Sequence, residues 1–406
     1  MALVAALGAI LNSPIPPVGI EILPGDPSAW LPECSNNRPF LFEERNLGIP
    51  LKAVCRAYLE ASHIFSNARK AGLSSVETGD VSLANSTSVL LLANPAHQTA
   101  LNTRKILVDS GFIDANVELD FTAALLSSHE ASKHSTLWHH RRWLLRRSRR
   151  NYSENIDEGD DTLSGIALSV GDYRSELSIV SRACERYPRN YFAWNHRYTC
   201  VRSLVSSINR LRSNSSHSNL VEVLDEECSW ITSWIERHIS DYTAMQYACQ
   251  LSQLLQETSH NDVSSHLTQS PSENVLHSFN FQTLRTHAES LLRAYPDHES
   301  LWLYLRSTFQ YSGTSIERVE DGSIVRGLIL FVRDLSNTAP KGSGQDTSLE
   351  DKCGIINLHA CRFLSWLARR LNATVGALEG NGRAINCSVD VGILADSLLR
   401  TLSTAD

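Results

Sequence analysis

The hydrophobic residues of this chain recur mainly at helical spacing. In one segment Leu177, Val180 and Cys184 fall at i, i+3 and i+7, on a single face of a helix. Segments 220–238 and 281–296 show the same pattern. Runs of alternating apolar and polar residues, which indicate half-buried strands, are scarce. The pattern therefore predicts a chain built almost entirely from amphipathic helices.

A second pattern follows each of these amphipathic segments. Every copy has a short polar lead, a small or apolar residue, an anchor that is usually tryptophan, and a polar or basic group. The anchors of the five copies are Leu101, Trp138, Trp194, Met245 and Trp302. Polar, loop-like insertions explain the unequal spacing of the copies, and without them the period approaches the ~34 residues of tetratricopeptide hairpins.

Each copy is predicted to be the second helix of a helical hairpin. The pairs Tyr187-Pro188 and Tyr295-Pro296 end the preceding helix in two hairpins, because proline disfavours helical geometry in the residue before it. The anchor then fills the space between successive hairpins, which no single hairpin buries alone. The predicted fold is all-α: a crescent-shaped, right-handed α-α superhelix, or solenoid.

The predicted organisation has four parts: an N-terminal arm and loop (1–45), the helical-repeat solenoid (46–335), a polar loop (336–351) and a C-terminal helical cap (352–406). Polar insertions in the solenoid are predicted near 151–165, 212–219 and 257–274. The apolar start, MALVAALGAIL, has no basic lead and is too short to span a bilayer. We expect it to form a strand or docking arm, with a lipid-facing role as the alternative.

Composition narrows the functional classes. The 406 residues include 37 Lys and Arg against 44 Asp and Glu, a net charge of −7, whereas general nucleic-acid binders carry a basic excess. Nine cysteines without a C-x-x-C pair exclude a disulfide scaffold and argue against a structural zinc site. We expect a soluble, cytoplasmic protein with reduced thiols, no nucleic-acid partner and no stable membrane insertion.

The repeats resemble those of the alpha subunits of protein prenyltransferases. The segments WHHRRWLL (138–145) and WNHR (194–197) match the W-x-x-R core of that family, and the segments 245–252 and 302–306 match it in outline. The resemblance covers roughly residues 90–310. It implies a subunit that is inactive alone and wraps a prenyltransferase β subunit in an obligate heterodimer.

The resemblance also implies an activity. It implies pairing with the β subunit of Rab geranylgeranyltransferase, which would contain the zinc, while this chain would hold no metal or cofactor. Geranylgeranyl diphosphate would be the co-substrate. The acceptors would be proteins with C-terminal cysteines, some already mono-prenylated, such as SNARE or F-box proteins.

Three site residues are carried over from this resemblance. Lys133 lies five residues before Trp138, where the family has a lysine that reaches the diphosphate. Asn190 and Tyr191 match a polar-aromatic lead that lines the substrate mouth. The alternatives are a solvated lysine at a helix start, and simple capping and packing by Asn190 and Tyr191.

Two residues depart from the family pattern. Ser135 and Phe192 stand where the family commonly has tyrosine and histidine. According to the resemblance, these changes remove hydrogen-bond donors near the diphosphate leaving group.

Six residues of the repeat cores are predicted to contact the partner subunit: His139, His140, Arg141, Asn195, His196 and Arg197. A metal site at the histidines is disfavoured, because the side chains of adjacent residues diverge on a helix. The arginines of 141–150 are followed by acidic residues, so local compensation or an acidic partner explains them better than nucleic acid. The rival function is a non-catalytic adaptor that presents a concave face to a protein.

Overall fold

The computed structural model describes residues 2–25, 39–70, 81–149, 162–166, 168–211, 217–260, 278–310, 322–338 and 347–380. Over these residues the chain forms fifteen helices and one three-stranded sheet. In chain order the helices are α1 (Ala2–Leu11), α2 (Leu51–Lys70), α3 (Val81–Ala93), α4 (Gln98–Asp109), α5 (Ala115–Leu126), α6 (His129–Ser132), α7 (Ser135–Ser148), α8 (Val170–Arg186), α9 (Tyr191–Arg210), α10 (His217–Arg237), α11 (Tyr242–His260), α12 (Phe281–Ala294), α13 (Glu299–Gln310), α14 (Gly322–Thr338) and α15 (Thr347–Gly380). The prediction of an all-α, helical-repeat fold is confirmed.

Large parts of the predicted polar insertions lie outside the described residues. These parts are 151–161, 212–216 and 261–274, together with 339–346 of the predicted polar loop and 381–406 of the predicted cap. Among the described residues, α11 continues to His260 and α15 begins at Thr347. Helical structure thus extends a few residues into segments that the sequence predicted as loops.

The chain divides into two compact units, Met1–Leu224 and Asp225–Asp406. In the first unit α3 packs on α4, α5 on α7 and α8 on α9; in the second unit α12 packs on α13. The second helix of each hairpin carries the predicted anchor near its start, and every anchor is at most 4% exposed: Leu101, Trp138, Trp194, Met245 and Trp302.

Two of the tryptophan anchors also fix the turn that precedes their helix. The indole Nε1 of Trp138 donates to the carbonyl oxygen of Ser132 at 2.8 Å. Trp302 makes the same bond to Pro296, again six residues earlier and at 2.8 Å. Met245 has no such donor, so at this position the anchor contributes by packing alone. These two tryptophans therefore pack in the core and also stabilise the preceding turn through a hydrogen bond.

The N-terminal apolar run forms helix α1, so the prediction of a strand there is wrong. Val4, Leu7 and Leu11 fall on one helical face and are at most 2% exposed, and this face packs on α2 and α3. The run is rich in alanine and leucine, which favour helix over strand. A Cβ atom at Gly8 would collide with Asn85 of α3, so glycine permits the close approach of these helices. None of the described helices is long and apolar enough to cross a membrane.

A small sheet follows α1 and was not predicted. Its strands are β1 (Gly19–Leu23), β2 (Leu41–Glu43) and β3 (Asn46–Pro50), with β3 in the centre, parallel to β1 and antiparallel to β2. Glu44 and Arg45 both have positive φ angles, 48° and 64°, as a two-residue hairpin turn requires. The amide of Ile20 donates to Ser127 Oγ at 2.9 Å, which ties the sheet to the end of α5.

Candidate functional site: a buried ladder and an adjoining cavity

Three repeats of the first unit bury an arginine three residues after the anchor. Arg104, Arg141 and Arg197 are at most 2% exposed. Each guanidinium donates to a carbonyl oxygen of the first helix of its own hairpin: Arg104 to Ala84 at 3.1 Å and Arg197 to Leu177 at 2.9 Å, with Arg141 bonded in the same way. The W-x-x-R spacing therefore links the two helices of a hairpin through a buried charge.

The charge of Arg104 is balanced by the next repeat. Its Nε lies 2.8 Å from Oε1 of Glu118 on α5, and its Nη2 bonds Oε2 of the same carboxylate. His140 of α7 places Nε2 at 3.0 Å from Glu118 Oε1. Arg104 also donates to Ser88 Oγ at 2.6 Å and to Asn12 Oδ1 at 3.1 Å. Residues from four helices and the end of α1 thus share one polar network.

The same arrangement recurs one repeat further along. Glu176 of α8 accepts from Nε and Nη2 of Arg141, both at 2.7 Å. His196 of α9 lies 2.9 Å from the carboxylate through Nε2, and Arg141 donates to Thr122 Oγ1 at 2.9 Å. We call these two clusters the Arg–Glu–His ladder: Arg104, Glu118, His140, Arg141, Glu176 and His196.

Burial and charge pairing oppose each other in the ladder carboxylates. Burial alone would raise the pKa of Glu118 and Glu176, but the neighbouring guanidinium and the hydrogen bond from histidine outweigh it and hold each pKa at about 2. For His140 and His196, burial lowers the pKa despite the carboxylate partner. The ladder at neutral pH therefore contains carboxylates, guanidinium groups and neutral imidazoles that donate through Nε2.

Glu176, His196 and Cys200 have the donor types of a metal site, and their ligand atoms lie within 4.8 Å of one another. The same atoms are already used within the chain. Both carboxylate oxygens accept from Arg141, and His196 Nε2 faces Glu176 at 2.9 Å and Cys200 Sγ at 3.6 Å. A cation here would meet a guanidinium, so the chemistry of this cluster is that of a structural network.

In the second unit, tyrosine takes the place of the ladder histidine. Tyr247 stands two residues after its anchor, where the first unit has histidine, and donates to Glu227 at 2.7 Å. In the next hairpin Tyr304 pairs with His287 at 3.3 Å. The arginine position after Met245 is Ala248. In the following hairpin, the position that corresponds to Glu176 and Glu227 is Leu284, so the carboxylate is absent where the preceding arginine is absent.

Lys133 lies directly after α6, and its side chain is one-third exposed. Its Nζ lies 2.7 Å from Glu130 Oε2, and this contact lowers the pKa of Glu130. Because the pair is open to solvent, it contributes little to stability and the ammonium can exchange its partner. The role of Lys133 at the diphosphate stays a prediction.

The two predicted substrate-binding residues have different environments. Asn190 is fully buried: its Oδ1 accepts from the amide of Ala193 at 3.1 Å, and its Nδ2 donates to the carbonyl of Ser132 at 2.7 Å. Its Oδ1 thus caps α9 and its Nδ2 joins α9 to the preceding hairpin, which is the capping and packing alternative; a substrate contact by Asn190 stays a prediction. Tyr191 is 62% exposed and packs edge-to-face on Phe192 at 5.7 Å, so its role stays a prediction.

The six residues predicted to contact a partner fall into two groups. His139 and Asn195 are exposed, so a contact there stays a prediction. The other four are at most 2% exposed: His140, Arg141, His196 and Arg197. Their polar groups bond carboxylates and carbonyl oxygens inside the chain, so the chain by itself exposes almost none of their surface; a partner contact at these four stays a prediction.

A cavity of about 350 Å³ opens between α4, α7 and α9. The exposed members of the predicted site line it, while Lys133 is not among its lining residues. Its walls are formed by Gln98, Leu101 and Lys105 of α4, by Ser135, Thr136, His139, His140 and Arg142 of α7, and by Tyr191, Phe192 and Asn195 of α9. This volume is within the range of small-molecule sites.

The ladder carboxylates were missed by sequence reasoning, although a signal was present. Glu176 shares a helix face with Tyr173 and Val180, both fully buried. A carboxylate on an otherwise apolar face requires a buried partner. The arginine of the preceding W-x-x-R copy is such a partner, and the pairing could have been inferred from these two observations together.

Comparison with known proteins relates this chain to the protein prenyltransferase alpha subunit repeat, both through a model of the repeat and through similar proteins. Residues 116–148 and 173–204, which span α5–α7 and α8–α9, match the protein prenyltransferase alpha subunit repeat. Protein prenyltransferase alpha subunit repeat-containing protein 1 of Danio rerio is 29% identical over 300 residues, which cover 68% of this chain and 66% of that protein. The protein of the same name from Homo sapiens is 27% identical over 304 residues, covering 68% and 70%.

A relative from Xenopus laevis, protein prenyltransferase alpha subunit repeat-containing protein 1-B, is 27% identical over 308 residues. That match covers 69% of this chain and 66% of the relative. The chain thus spans about two thirds of the length of these relatives.

Proposed function

Because this chain carries protein prenyltransferase alpha subunit repeats, we propose that it is the alpha subunit of a heterodimeric protein geranylgeranyltransferase. Its partner would be a β subunit of the kind found in Rab geranylgeranyltransferase. The observation that carries the proposal is the pair of consecutive matched repeats, 116–148 and 173–204. The chain alone would be inactive.

The proposed reaction alkylates a cysteine near the C-terminus of an acceptor protein. The thiolate attacks the allylic carbon of geranylgeranyl diphosphate, a C–S bond forms, and the diphosphate leaves with the electrons of the broken C–O bond. Zinc in the partner subunit would supply the stabilised thiolate. The acceptors would include proteins that already carry one prenyl group, of the SNARE or F-box class.

Within this reaction Lys133 would stabilise the negative charge on the departing diphosphate. Its position supports this role, because the side chain is one-third exposed and its ion pair is with the exposed carboxylate of Glu130. An approaching diphosphate, with its larger charge, would compete well for this ammonium. Tyr191, exposed at the start of α9, would line the same mouth.

The test is reconstitution of the heterodimer. The chain is co-expressed with the β subunit of Rab geranylgeranyltransferase, and transfer of labelled geranylgeranyl to a cysteine-ended acceptor is measured. Lys133→Ala should lower the turnover about 100-fold or more, the effect of losing one charge-stabilising donor in the transition state. Lys52→Ala, which changes an exposed lysine on α2, is the matched control and should leave the turnover unchanged.

The same experiment separates the rival function. A non-catalytic adaptor would neither co-purify with the β subunit nor support transfer, and the replacement of tyrosine and histidine by Ser135 and Phe192 is the observation that favours it. If the heterodimer forms and transfers lipid while Lys133→Ala keeps full turnover, the role of Lys133 is excluded but the subunit assignment stands.

A further inference from the structure

A second cavity, of about 490 Å³, opens between α12 and α14 of the second unit. Each of these helices is the first helix of its hairpin, whereas the cavity between α4, α7 and α9 is formed by second helices. None of its described lining residues is among those that the resemblance assigns to the substrate or to the partner subunit. We call this separate cavity the α12–α14 groove.

The groove wall formed by α12 carries charges of alternating sign. Arg285, Glu289 and Arg293 line the groove and follow at i, i+4 and i+8, so they share one helix face and lie about 6 Å apart along its axis. The guanidinium of Arg285 lies 4.0 Å from the ring centroid of Phe309, and that of Arg293 lies 4.8 Å from the ring centroid of Phe331. These cation–π contacts help to hold both guanidinium groups in place. The wall thus presents a row of positive, negative and positive charge.

The groove wall formed by α14 is mainly apolar. Three of its lining residues are at most 9% exposed: Leu328, Phe331 and Leu335. Leu330 lines the groove as well but is 57% exposed, and the charged lining residue of this helix is Asp334. A partner that covers Leu330 would remove apolar surface from water, which favours association.

Gly327 lies on the same wall, three residues before the exposed Leu330. A Cβ atom at Gly327 would meet no atom within 4 Å, so packing within the described chain does not require glycine there. Glycine inside a helix costs about 1 kcal/mol relative to alanine. The missing side chain instead leaves room for the backbone of a partner to approach closely.

We propose that the α12–α14 groove binds an amphipathic helix of a partner protein. Charge complementarity defines this helix: acidic, basic and acidic residues at i, i+4 and i+8 stand opposite Arg285, Glu289 and Arg293, and a helix keeps residues four apart on one face. A basic residue on its other flank meets Asp334. A single small ion fits less well, because Glu289 lies between the two arginines.

The apolar stripe of the partner helix packs on Gly327 and Leu330. A small residue beside a large one on α14 gives the hollow and the ridge that helix packing uses. The interaction requires neither the proposed transferase reaction nor a β subunit, so it can be tested on this chain alone.

Fluorescence anisotropy of two labelled synthetic helices, titrated with the full chain, tests the proposal. Both helices carry the same leucine stripe; the first has Glu, Lys and Glu at four-residue spacing along one flank, and the second has Lys, Glu and Lys. We expect saturable binding of the first helix with about micromolar affinity. The second helix should bind about tenfold more weakly, because its charges are repelled by the α12 wall. Arg293→Glu should remove most of this preference for the first helix.

Gly327→Leu should weaken binding of the first helix about tenfold or more, because the new side chain occupies the space that the partner needs. The variant should fold at least as well as the parent, since leucine favours helix more than glycine does. Gly354→Leu is the matched control. A Cβ atom at Gly354 of α15 would also meet no atom within 4 Å, but Gly354 is not among the described lining residues, so the affinity should be unchanged. Circular dichroism melting verifies that each variant is folded.

The proposal is overturned if neither helix saturates, if both helices bind equally, or if Gly327→Leu and Gly354→Leu have the same affinity. Two other occupants of the groove are tested with the same protein. Dimerisation in sedimentation velocity that Gly327→Leu abolishes would assign the groove to a second copy of the chain. Displacement of the first helix by a peptide of residues 381–406 would assign the groove to that segment. Either result would overturn the assignment to a partner protein.

Discussion

In the ladder of the first unit, a buried arginine of one repeat pairs with a buried glutamate of the next repeat. Arg141 gives two short hydrogen bonds to Glu176, and His196 gives a third to the same carboxylate. Charge pairing together with hydrogen bonding makes a buried ion pair tolerable, because each ion loses its hydration. Removal of one partner is therefore far more costly than the net contribution of the pair.

At this scale we predict that Glu176→Gln lowers the free energy of unfolding by about 3–5 kcal/mol, because Arg141 remains buried without its counter-ion. Denaturant unfolding at neutral pH measures the change. The matched control is Glu222→Gln, whose ion pair with Arg174 at 3.3 Å is solvent-exposed and contributes less than about 1 kcal/mol. If both variants lost similar amounts of unfolding free energy, burial would not be the reason for the cost of removing the counter-ion.

Among the elements, the hairpin turns decide how neighbouring repeats meet. Asn190 caps α9 through Ala193 and reaches back to the carbonyl of Ser132 in the previous hairpin. That carbonyl also accepts from Trp138. One peptide group thus connects an anchor, a helix cap and the adjoining repeat, which explains why a polar residue is buried here.

The prediction for this element is that Asn190→Ala destabilises the protein by more than the ordinary cost of a lost cap, about 1 kcal/mol. The substitution removes the cap of α9 and the bond to Ser132, and it leaves a small void. Ser169→Ala provides the comparison, because Ser169 caps α8 at an exposed position. Thermal unfolding of the two variants measures the difference, and an equal loss would show that the inter-repeat bond adds nothing.

For the whole molecule, the ladder makes stability depend on pH. The pKa of His140 and of His196 lies below the usual 6.5, mainly because of burial. As the pH falls below 6.5 the unfolded chain takes up protons that the folded chain does not bind, so the folded state is destabilised. The ladder carboxylates act in the same direction at lower pH, between the usual 4.5 and about 2.

We therefore predict that the free energy of unfolding falls between pH 7 and pH 5, with each histidine contributing at most about 1.4 kcal/mol per pH unit. Denaturant unfolding at several pH values measures the slope. His196→Gln should reduce the slope, whereas His63→Gln, at an exposed position on α2, should not. A slope that is unchanged by His196→Gln would exclude this histidine as a source of the dependence.

The repeat architecture of this protein can be predicted from its amino-acid sequence. Apolar residues at helical spacing define amphipathic helices whatever their surroundings, and the recurring anchors identify the second helix of each hairpin. The core positions of Trp138, Trp194 and Trp302 followed from this periodicity. These features depend on residues close together in the chain, so a local pattern is sufficient to identify them.

The identity of the buried polar residues and of their partners, in contrast, depends on the tertiary structure. Glu118 and Arg104 are 14 residues apart and Glu176 and Arg141 are 35 apart, so their pairing depends on how the hairpins stack. The same holds for Asn190, which the sequence could not separate from its exposed neighbour Tyr191. Burial is a property of the assembled repeats, because water is excluded from a side chain by neighbours that the local sequence does not contain.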